Sequence, residues 1–389
     1  MRNAIGSFLL VNVVVSTTAA AQGQVHVVGG VNSEFPSITA AQNAAAPGDV
    51  VLVNAGTYGD ALRLQGNVVG EFGAQVRVDA LSDSDLDPKQ SCLFQGLEFL
   101  SIGSAVSVSG ARGPVWFERC RFAPMKPDQF VAGFRASDCD AIALNQCAGF
   151  TEPFIARALE VVDSRVHVHA SAFHGNTPFD DPPWSTARAR GGSFLELFGT
   201  EVFGEDGADG TSSSCNGQDG TDAVHVRDTS RLVTLGSAIV PGVGGAPFGA
   251  CSPGADGNAV VLDAGASATP LAGIARPLSM NSPVREGELL QVLIGGKPGD
   301  AVWFRYASAP GLGLGFPALD GEFLLGPSSL ALVGTIPPSG VLDLTIFAPD
   351  LPSGWESTIF YCQAVLRDVD THRFVVSAPS ALVLLDGSL

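Results

Sequence analysis

Short apolar segments alternate with polar positions along most of the chain, with a period of two residues. Over residues 50–262 these segments are only a few residues long and are separated by glycine, asparagine and aspartate. This alternation is typical of half-buried β-strands. Residues 36–46 instead predict a short helix, because a proline stands at its start and Gly48 follows its end. The pattern predicts an all-β protein with one short helix before the strand at residues 50–53.

Apolar residues recur at the ends of successive predicted strands, at intervals of 23, 28, 23, 30 and 37 residues. Repeats of variable length with fixed strand positions predict a solenoid, whose coils stack their strands and vary their turns. A single coil cannot bury its apolar face alone, so we expect the recurring side chains to form one continuous interior ladder. The members of this predicted ladder are Phe99, Phe122, Phe150, Phe173, Phe203 and Val240.

The helix and first strand carry a family resemblance. The segment "SITAAQNAAAPGDVVLVNAGTY", residues 37–58, resembles the N-terminal cap and first coil of secreted right-handed parallel β-helix proteins of the pectin-lyase-like superfamily. The resemblance extends over roughly residues 25–265 and implies a right-handed parallel β-helix (solenoid) with a short N-terminal capping helix. It does not imply one activity, because that superfamily includes lyases, hydrolases, epimerases, adhesins and proteins without assigned chemistry.

Four segments follow from this pattern. Residues 1–21 read as a secretory signal peptide, with Arg2 before an apolar run and small residues at its end. Residues 22–265 are the predicted β-helix and residues 266–281 a linker rich in proline, alanine and serine. Residues 282–389 predict a small antiparallel β-sandwich of the immunoglobulin type, from about seven short strands. This last block resembles the C-terminal modules of exported bacterial β-helix and β-propeller proteins. Within it, alternation places Cys362 on an inward face as a buried free thiol.

Charge narrows the possible partners. The formal net charge is −18 although only 15% of residues are charged, because basic residues are scarce. An acidic surface argues against nucleic acid and anionic lipid as partners. We expect a secreted or cell-surface protein with no membrane insertion after signal cleavage, whose partners are extracellular polysaccharide or cell-surface components.

Candidate catalytic residues lie in and after "FHGNTPFDDPPW", residues 173–184. His174, Asp180 and Asp181 loosely resemble elements of polygalacturonase-like hydrolases, but the histidine precedes the aspartate pair and other elements of that family are missing. Arg188 and Arg190 follow on one strand face. An ordinary loop with ion pairs is the favoured explanation of these residues. As an enzyme, the protein would be a divergent polysaccharide lyase or glycoside hydrolase, and these five side chains would converge on one groove.

"VHVHA" places His167 and His169 on one face of a predicted strand. This spacing supports a metal ion if a third ligand stacks on a neighbouring coil. The same two histidines on a solvated strand face need no metal, and no partner ligand is evident from the sequence.

Residues 204–223, "GEDGADGTSSSCNGQDGTDA", and residues 242–263 are consecutive insertions at one position of the repeat, each with one cysteine. Cys215 and Cys251 are 36 residues apart, close to the 37-residue repeat, so stacking of the insertions predicts a disulfide between them. A second pair, Cys120 and Cys147, is predicted either as a disulfide or as inward thiols. A collagen-like reading of the glycine triplets is weaker, since they last only three repeats. Four aspartates are candidate calcium ligands: Asp206, Asp209, Asp219 and Asp222.

The sequence therefore predicts an exported, non-catalytic β-helix protein with a structural, adhesive or glycan-contacting role. No cofactor is expected other than a possible calcium ion. The alternative is the divergent polysaccharide-cleaving enzyme described above.

Overall fold

A computed structural model describes residues 23–31, 33–101, 104–123, 132–150, 157–175, 185–315 and 319–389. The predicted signal peptide lies outside these ranges. Within them the chain is all-β apart from one helix, Ile38–Ala44. No helix of the described residues is long and apolar enough to cross a membrane.

Two large parallel sheets form the N-terminal part of the chain. The first, called here the ten-stranded sheet, pairs equivalent strands of successive repeats. Its strands are Val25–Val28, Val50–Val53, Asn67–Gly70, Cys92–Gln95, Val115–Glu118, Ile142–Asn145, Arg165–His169, Phe194–Phe198, Arg231–Leu235 and Ser267–Leu271.

The second parallel sheet has two arms that meet at the long strand Val76–Ser84, against which Gly56–Leu62 also pairs. The first arm contains Leu97–Phe99, Arg121–Phe122, Ala148–Phe150, Ala172–His174, Glu201–Phe203 and Ala238–Val240. The second arm contains Val106–Ser109, Ala132–Ser137, Arg157–Val162, Ala187–Arg190, Val224–Val226 and Val260–Leu262. The chain visits the ten-stranded sheet, the first arm and the second arm in turn, an order consistent with a parallel β-helix.

The helix lies over one end of this stack. Ser37 is its N-cap and accepts a hydrogen bond from the Ala40 amide at 3.1 Å. Ile38 and Ala41 are fully buried in the same apolar core as the parallel strands. The predicted helix is thus confirmed, although it is shorter than residues 36–46.

The predicted phenylalanine ladder is wrong in register for half of its members. Phe99 pairs with Phe122, but Phe122 pairs with Gly149, and Gly149 pairs with Phe173. The residues after Gly149 and Phe173 therefore point outward with the strand alternation. Phe150, Phe203 and Val240 form an outer column together with His174.

Gly149 explains the shift. A Cβ atom there would lie 2.6 Å from Cδ1 of Phe173, so the glycine makes room for the Phe173 ring in the interior. Phe99, Phe122 and Phe173 are fully buried, and Phe94, Phe117 and Phe134 from other strands complete the aromatic interior.

The C-terminal part forms smaller, mostly antiparallel sheets. A three-stranded sheet contains Leu278–Met280, Leu289–Gly295 and Val341–Phe347. A seven-stranded sheet contains Val284–Arg285, Ala301–Ala307, Leu319–Asp320, Ser329–Thr335, Ser357–Arg367, Phe374–Val376 and Ser380–Leu385. A two-stranded sheet contains Pro310–Gly315 and Glu322–Leu325. These strands are called the C-terminal region.

Two details of the C-terminal prediction can be compared with the structure. Cys362 is a buried free thiol in a core shared by the three- and seven-stranded sheets, as predicted. Strand Ser267–Leu271, by contrast, lies within the predicted linker 266–281 and forms the last strand of the ten-stranded sheet. The proline at 270 obscured this strand, but a proline is tolerated at the edge of a sheet.

The C-terminal region packs on the outward face of the ten-stranded sheet. Trp116 meets Tyr361 edge to face, with ring centroids 4.7 Å apart. Glu118 is buried beside them and accepts hydrogen bonds from the Ser380 hydroxyl at 2.5 Å and the Ala381 amide at 2.7 Å. Strands such as Val115–Glu118 and Ile142–Asn145 are therefore buried on both faces, and neither face is exposed to solvent.

The register of the first arm can be tested by substitution. Phe173→Ala should destabilise the protein by about 3–5 kcal/mol, because it empties a fully buried site. Phe203→Ala removes an outward, partly buried ring of the neighbouring coil and should cost clearly less than Phe173→Ala, since its stacking on His174 contributes about 0.5–1.5 kcal/mol beyond the area it buries. Denaturant unfolding monitored by fluorescence measures both. Equal losses would contradict the register.

Candidate functional site

A cluster of two histidines and a glutamate lies on the outward face of the ten-stranded sheet. Within strand Arg165–His169, Val166 and Val168 point into the core, so the histidines at 167 and 169 point outward. Glu196 pairs with His167 on the next coil. The sequence predicted these histidines on a solvated face, which is wrong. His167 is 0% and His169 2% exposed, since the C-terminal region covers them.

One carboxylate oxygen joins the cluster. Oε1 of Glu196 lies 3.3 Å from Nδ1 of His167 and 3.4 Å from Nε2 of His169. One potential ligand atom of each residue lies within 4.8 Å of those of the other two. Among the described residues this is the only such group of three histidine, cysteine or carboxylate side chains.

A second carboxylate approaches from the C-terminal region. Oε2 of Glu322 lies 3.6 Å from Nε2 of His167, on the side of the ring opposite Glu196. Arg165 holds Glu322 in place with its Nε 3.1 Å from Oε2. The guanidinium of Arg165 in turn lies over the Phe194 ring, 4.5 Å from its centroid. The second carboxylate is thus positioned by a residue two places before His167.

The pKa values of Glu196 and His169 are shifted by burial and by their contacts with each other. Burial alone would raise the pKa of Glu196, but its hydrogen bonds with His167 and His169 outweigh burial and lower the pKa to about 2. Burial lowers the pKa of His169, and the nearby Glu196 opposes this shift only in part. At neutral pH Glu196 is therefore ionised and His169 is neutral.

Two ring nitrogens of the cluster, Nε2 of His167 and Nδ1 of His169, have no hydrogen-bond partner within the described part of the chain. Nε2 of His169 has only its 3.4 Å contact with Oε1 of Glu196. A cleft of about 220 Å³ reaches His169 and is lined by Phe198, Ile274, Arg276 and Val376 among others. Buried polar atoms without partners are rare in native proteins, and each calls for an explanation such as a bound ion or water.

Sequence reasoning found the two histidines but missed Glu196 and Glu322. Glu196 had a detectable signal, because "FLELF" alternates in the same way as "RVHVH" one repeat earlier. Aligning the two strands would have paired the glutamate with His167. Glu322 had no such signal, since it comes from a different sheet.

A second concentration of charge lies on the outward side of the second arm. We call it the arginine face; it consists of Arg135, Glu160, Arg188 and Arg190. Arg188 contacts Oε1 of Glu160, and Nε of Arg190 lies 3.5 Å from the same oxygen. Nε of Arg135 lies 3.7 Å from Oε2. Three positive charges therefore surround one carboxylate.

Arginines outnumber the carboxylate at the arginine face, and this changes the pKa values there. Burial would raise the pKa of Glu160, but its hydrogen bond with Arg188 and the surrounding arginine charges lower it. Next to it, burial and the charge of Arg188 lower the pKa of Arg157 to about 9. That guanidinium still keeps its proton at neutral pH. These shifts are those expected where positive charge is in local excess.

The structure separates the predicted catalytic residues. His174 lies on the first arm, between the rings of Phe150 and Phe203, whose centroids are 5.3 and 4.9 Å from its own. Arg188 and Arg190 lie on the second arm with Glu160. Asp180 and Asp181 lie outside the described residues. Of the three predicted catalytic side chains that the structure describes, the two arginines lie together and His174 lies apart from them.

The two insertions form one pinned unit. Cys215 and Cys251 are joined in a disulfide with Cα atoms 5.7 Å apart, which confirms that prediction. Cys120 and Cys147 are instead buried free thiols, so their disulfide is not formed and the alternative of inward thiols applies. Both thiols approach backbone carbonyl oxygens of the strands around them, Cys120 that of Phe94 and Cys147 that of Phe117.

The four candidate calcium ligands have a structural role between the insertions. Each aspartate of the first insertion accepts a backbone N–H of the second through Oδ1, at 2.7 Å in all four cases. The pairs are Asp206 with Val243, Asp209 with Ala246, Asp219 with Ala255, and Asp222 with Asn258. These bonds account for the aspartates without a cation, and calcium binding by them stays a prediction.

Glycines at every third position pack the insertions backbone against backbone. Gly207 donates its N–H to Val243 at 2.7 Å, and Gly245 donates to Gln218 at 2.8 Å. A Cβ atom on Gly207 would overlap the carbonyl oxygen of Gln218, and one on Gly245 that of Ala208. A three-residue repeat with such close approach is expected of extended polyproline-II-like segments. The glycine triplets thus have a structural role, because they let neighbouring segments of one chain pack closely. They do not form a collagen triple helix.

No protein-family description matches the chain, and no curated protein is significantly similar to it.

The cysteine pairing predicts a thiol count. Five cysteines are free and buried while Cys215 and Cys251 are bonded. Five thiols should therefore titrate in denaturant without reductant, and seven after reduction. Mass spectrometry of unreduced peptides should show Cys215 linked to Cys251, and either residue found as a free thiol would refute the bridge.

The packing of the insertions predicts a strict requirement for glycine. Gly207→Ala should speed amide hydrogen exchange across residues 204–223 and 241–258, because the new Cβ pushes the segments apart. Gly59→Ala is the control, since nothing lies within 4 Å of a Cβ at that position. Exchange followed by mass spectrometry should leave these residues unchanged in the control. The same exchange in both variants would contradict the close packing.

Proposed function

We propose that this protein is an exported right-handed parallel β-helix, followed by a C-terminal β-sandwich, that binds an acidic extracellular polysaccharide without cleaving it. The parallel sheets and the order in which the chain visits them support the β-helix. The disulfide supports export, because such bonds persist in oxidising compartments. Binding a polysaccharide outside the cell is the proposed role of the fold.

The arginine face carries the proposal for the ligand. It places three arginines around one carboxylate in a chain whose net charge is −18. Arg135 and Arg190 are partly exposed, with 43% and 36% of their side-chain surface accessible. A uronate or sulfate group would form charge-assisted hydrogen bonds with such guanidinium groups. An overall acidic protein with one positive face selects an anion that can reach that face.

The arrangement of coils favours an extended ligand. Arg135, Glu160 and Arg188 occupy neighbouring strands of the second arm in register. Neighbouring strands lie about 4.7–4.9 Å apart, so Arg135 and Arg188 stand on the two sides of Glu160 and span two strand spacings along the axis of the stack. An extended polymer can contact both arginines with different anionic groups, which a small anion cannot.

A polysaccharide lyase or glycoside hydrolase is the second candidate function. The observation that favours it is the grouping of Arg188 and Arg190 with the ionised Glu160 on one outward face. His174 belongs to the other arm and speaks against a shared groove. We propose the binding role first, because His174 lies apart from Arg188 and Arg190 among the predicted catalytic residues that the structure describes.

A glycan panel distinguishes the two functions. The full-length chain should bind a polyuronate or sulfated polymer in preference to neutral polymers, with affinity that falls as salt rises. The double variant Arg135→Ala/Arg190→Ala should lower this affinity about 10-fold or more, from the loss of hydrogen bonds to charged groups worth about 1.5–3 kcal/mol each. Isothermal titration measures the affinity, and chromatography of the polymer measures product release.

Arg112→Ala is the matched control. This arginine is also partly exposed and paired, with Asp138 and Asp140, but lies outside the arginine face. Its substitution should leave glycan affinity unchanged. Equal losses in both variants, or no preference for acidic polymers, would contradict the proposed ligand. Shortening of any polymer would establish the second candidate function instead.

A further inference from the structure

We propose that His167, His169 and Glu196 bind a divalent transition-metal ion between the ten-stranded sheet and the C-terminal region. Glu322 would act as the supporting carboxylate for His167. The site is separate from the arginine face, so it does not depend on polysaccharide binding. The argument rests on the donor set, the spacing of the ligand atoms, the buried nitrogens without partners and the cleft beside His169.

The donor set points to a transition metal. Two imidazoles and one carboxylate form a common site for zinc and its neighbours in the first transition row. Calcium and magnesium prefer all-oxygen surroundings. Three protein ligands leave one coordination position of a tetrahedral ion free, and the cleft beside the site is lined by His169 but by neither His167 nor Glu196.

Two of the three distances between the ligand atoms match those around a tetrahedral zinc ion. Ligand atoms bonded at about 2.0–2.2 Å to a tetrahedral zinc ion lie about 3.3–3.6 Å apart. Oε1 of Glu196 lies 3.3 Å from Nδ1 of His167 and 3.4 Å from Nε2 of His169. The third edge, between the two histidine nitrogens, is no longer than 4.8 Å. A small rotation of the imidazoles therefore brings the three atoms into coordinating positions around one ion.

His167 is surrounded as metal-bound histidines usually are, with a carboxylate, that of Glu322, facing its second ring nitrogen. With Nδ1 facing Glu196, its Nε2 faces Glu322 at 3.6 Å. Metal-bound histidines usually donate their other N–H to a carboxylate or carbonyl, which fixes the ring and its tautomer. Arg165 orients Glu322 for that role. Because Glu322 belongs to strand Glu322–Leu325, the ion would tie the C-terminal region to the parallel strands.

Burial makes an ion-free cluster costly. The two histidines and Glu196 are all at most 2% exposed, and two of the four ring nitrogens have no hydrogen-bond partner among the described residues. An ion would bind Nδ1 of His167 and Nε2 of His169, the two nitrogens that face Oε1 of Glu196, and would leave Nε2 of His167 facing Glu322. The rings of Phe194 and Phe198 flank the histidines and keep competing water away.

Zinc binding to the full-length chain without a histidine tag tests the proposal. The wild-type chain should bind one zinc ion after metal removal, measured by isothermal titration and by elemental analysis after dialysis. Its Tm should rise with the logarithm of the zinc concentration. Cobalt, used as a spectroscopic substitute, should give the intense visible absorption of a four-coordinate ion.

Substitutions separate ligand, supporting residue and control. Glu196→Gln keeps the shape of the side chain but should reduce zinc affinity by more than about 100-fold and remove the cobalt bands. Glu322→Gln should reduce affinity by about 10- to 100-fold, the usual effect of losing a supporting carboxylate, while the bands persist. Glu118→Gln is the control, because Glu118 is equally buried on the same sheet face but has no histidine neighbour.

The control also guards against a folding artefact. Glu118→Gln is expected to lower the starting Tm and still show the full zinc-induced rise, whereas Glu196→Gln should show no rise. The proposal is overturned by absence of saturable zinc binding in the wild-type chain. It is equally overturned if Glu196→Gln and Glu118→Gln bind zinc with the same affinity.

Discussion

The C-terminal region buries the outward side chains of the ten-stranded sheet, and every polar group on that face must therefore find a partner away from water. A buried charge without a partner costs several kcal/mol. Glu118 meets this demand with the Ser380 hydroxyl and the Ala381 amide. Gln95 does so with the Ala381 carbonyl and the Ser282 hydroxyl. These bonds make the contact between the two parts specific as well as apolar.

Buried polar groups also need partners around Glu196, His167 and His169 on the same sheet face, but the partners there are of a different kind. Glu196 is ionised between two histidines, and part of the hydrogen-bonding capacity of the rings is unused. Over the neighbouring coils the C-terminal region supplies hydroxyl and amide donors, whereas here it supplies another carboxylate, Glu322. Two carboxylates and two imidazoles with little water suit a cation, which is why the proposed metal ion lies at this place in the contact.

The two insertions of the coils are held together in a different way from the ten-stranded sheet. The insertions at residues 204–223 and 242–263 contain almost no apolar interior and depend on backbone contact. Glycines let the segments approach, four aspartates accept the backbone N–H groups, and the disulfide between Cys215 and Cys251 closes the unit. Taken alone, these residues resemble a ligand site, but the four aspartates accept hydrogen bonds from backbone N–H groups of the protein itself.

The sequence by itself determined the local structure. Two-residue alternation predicted the strands, helix-boundary residues predicted the cap, and matching positions in two insertions predicted the disulfide, because each of these depends on neighbours in the chain or on one repeat interval. The repeat interval alone did not fix the pairing register of the strands, and the register decides which side chains point inward. The pattern of strand-end phenylalanines did not reveal that Gly149, and not Phe150, pairs with Phe122, since a one-residue shift exchanges the two faces of a strand.

Only the tertiary structure decided what the outward positions do. Alternation correctly separated Val166 and Val168 from the two histidines, yet it could not tell whether the outward face is wet or covered. The covering strands lie more than 100 residues later in the chain, and their contact depends on the packing of whole sheets. Burial of His167 and the approach of Glu322 both arise from such contacts, for which local sequence carries no signal.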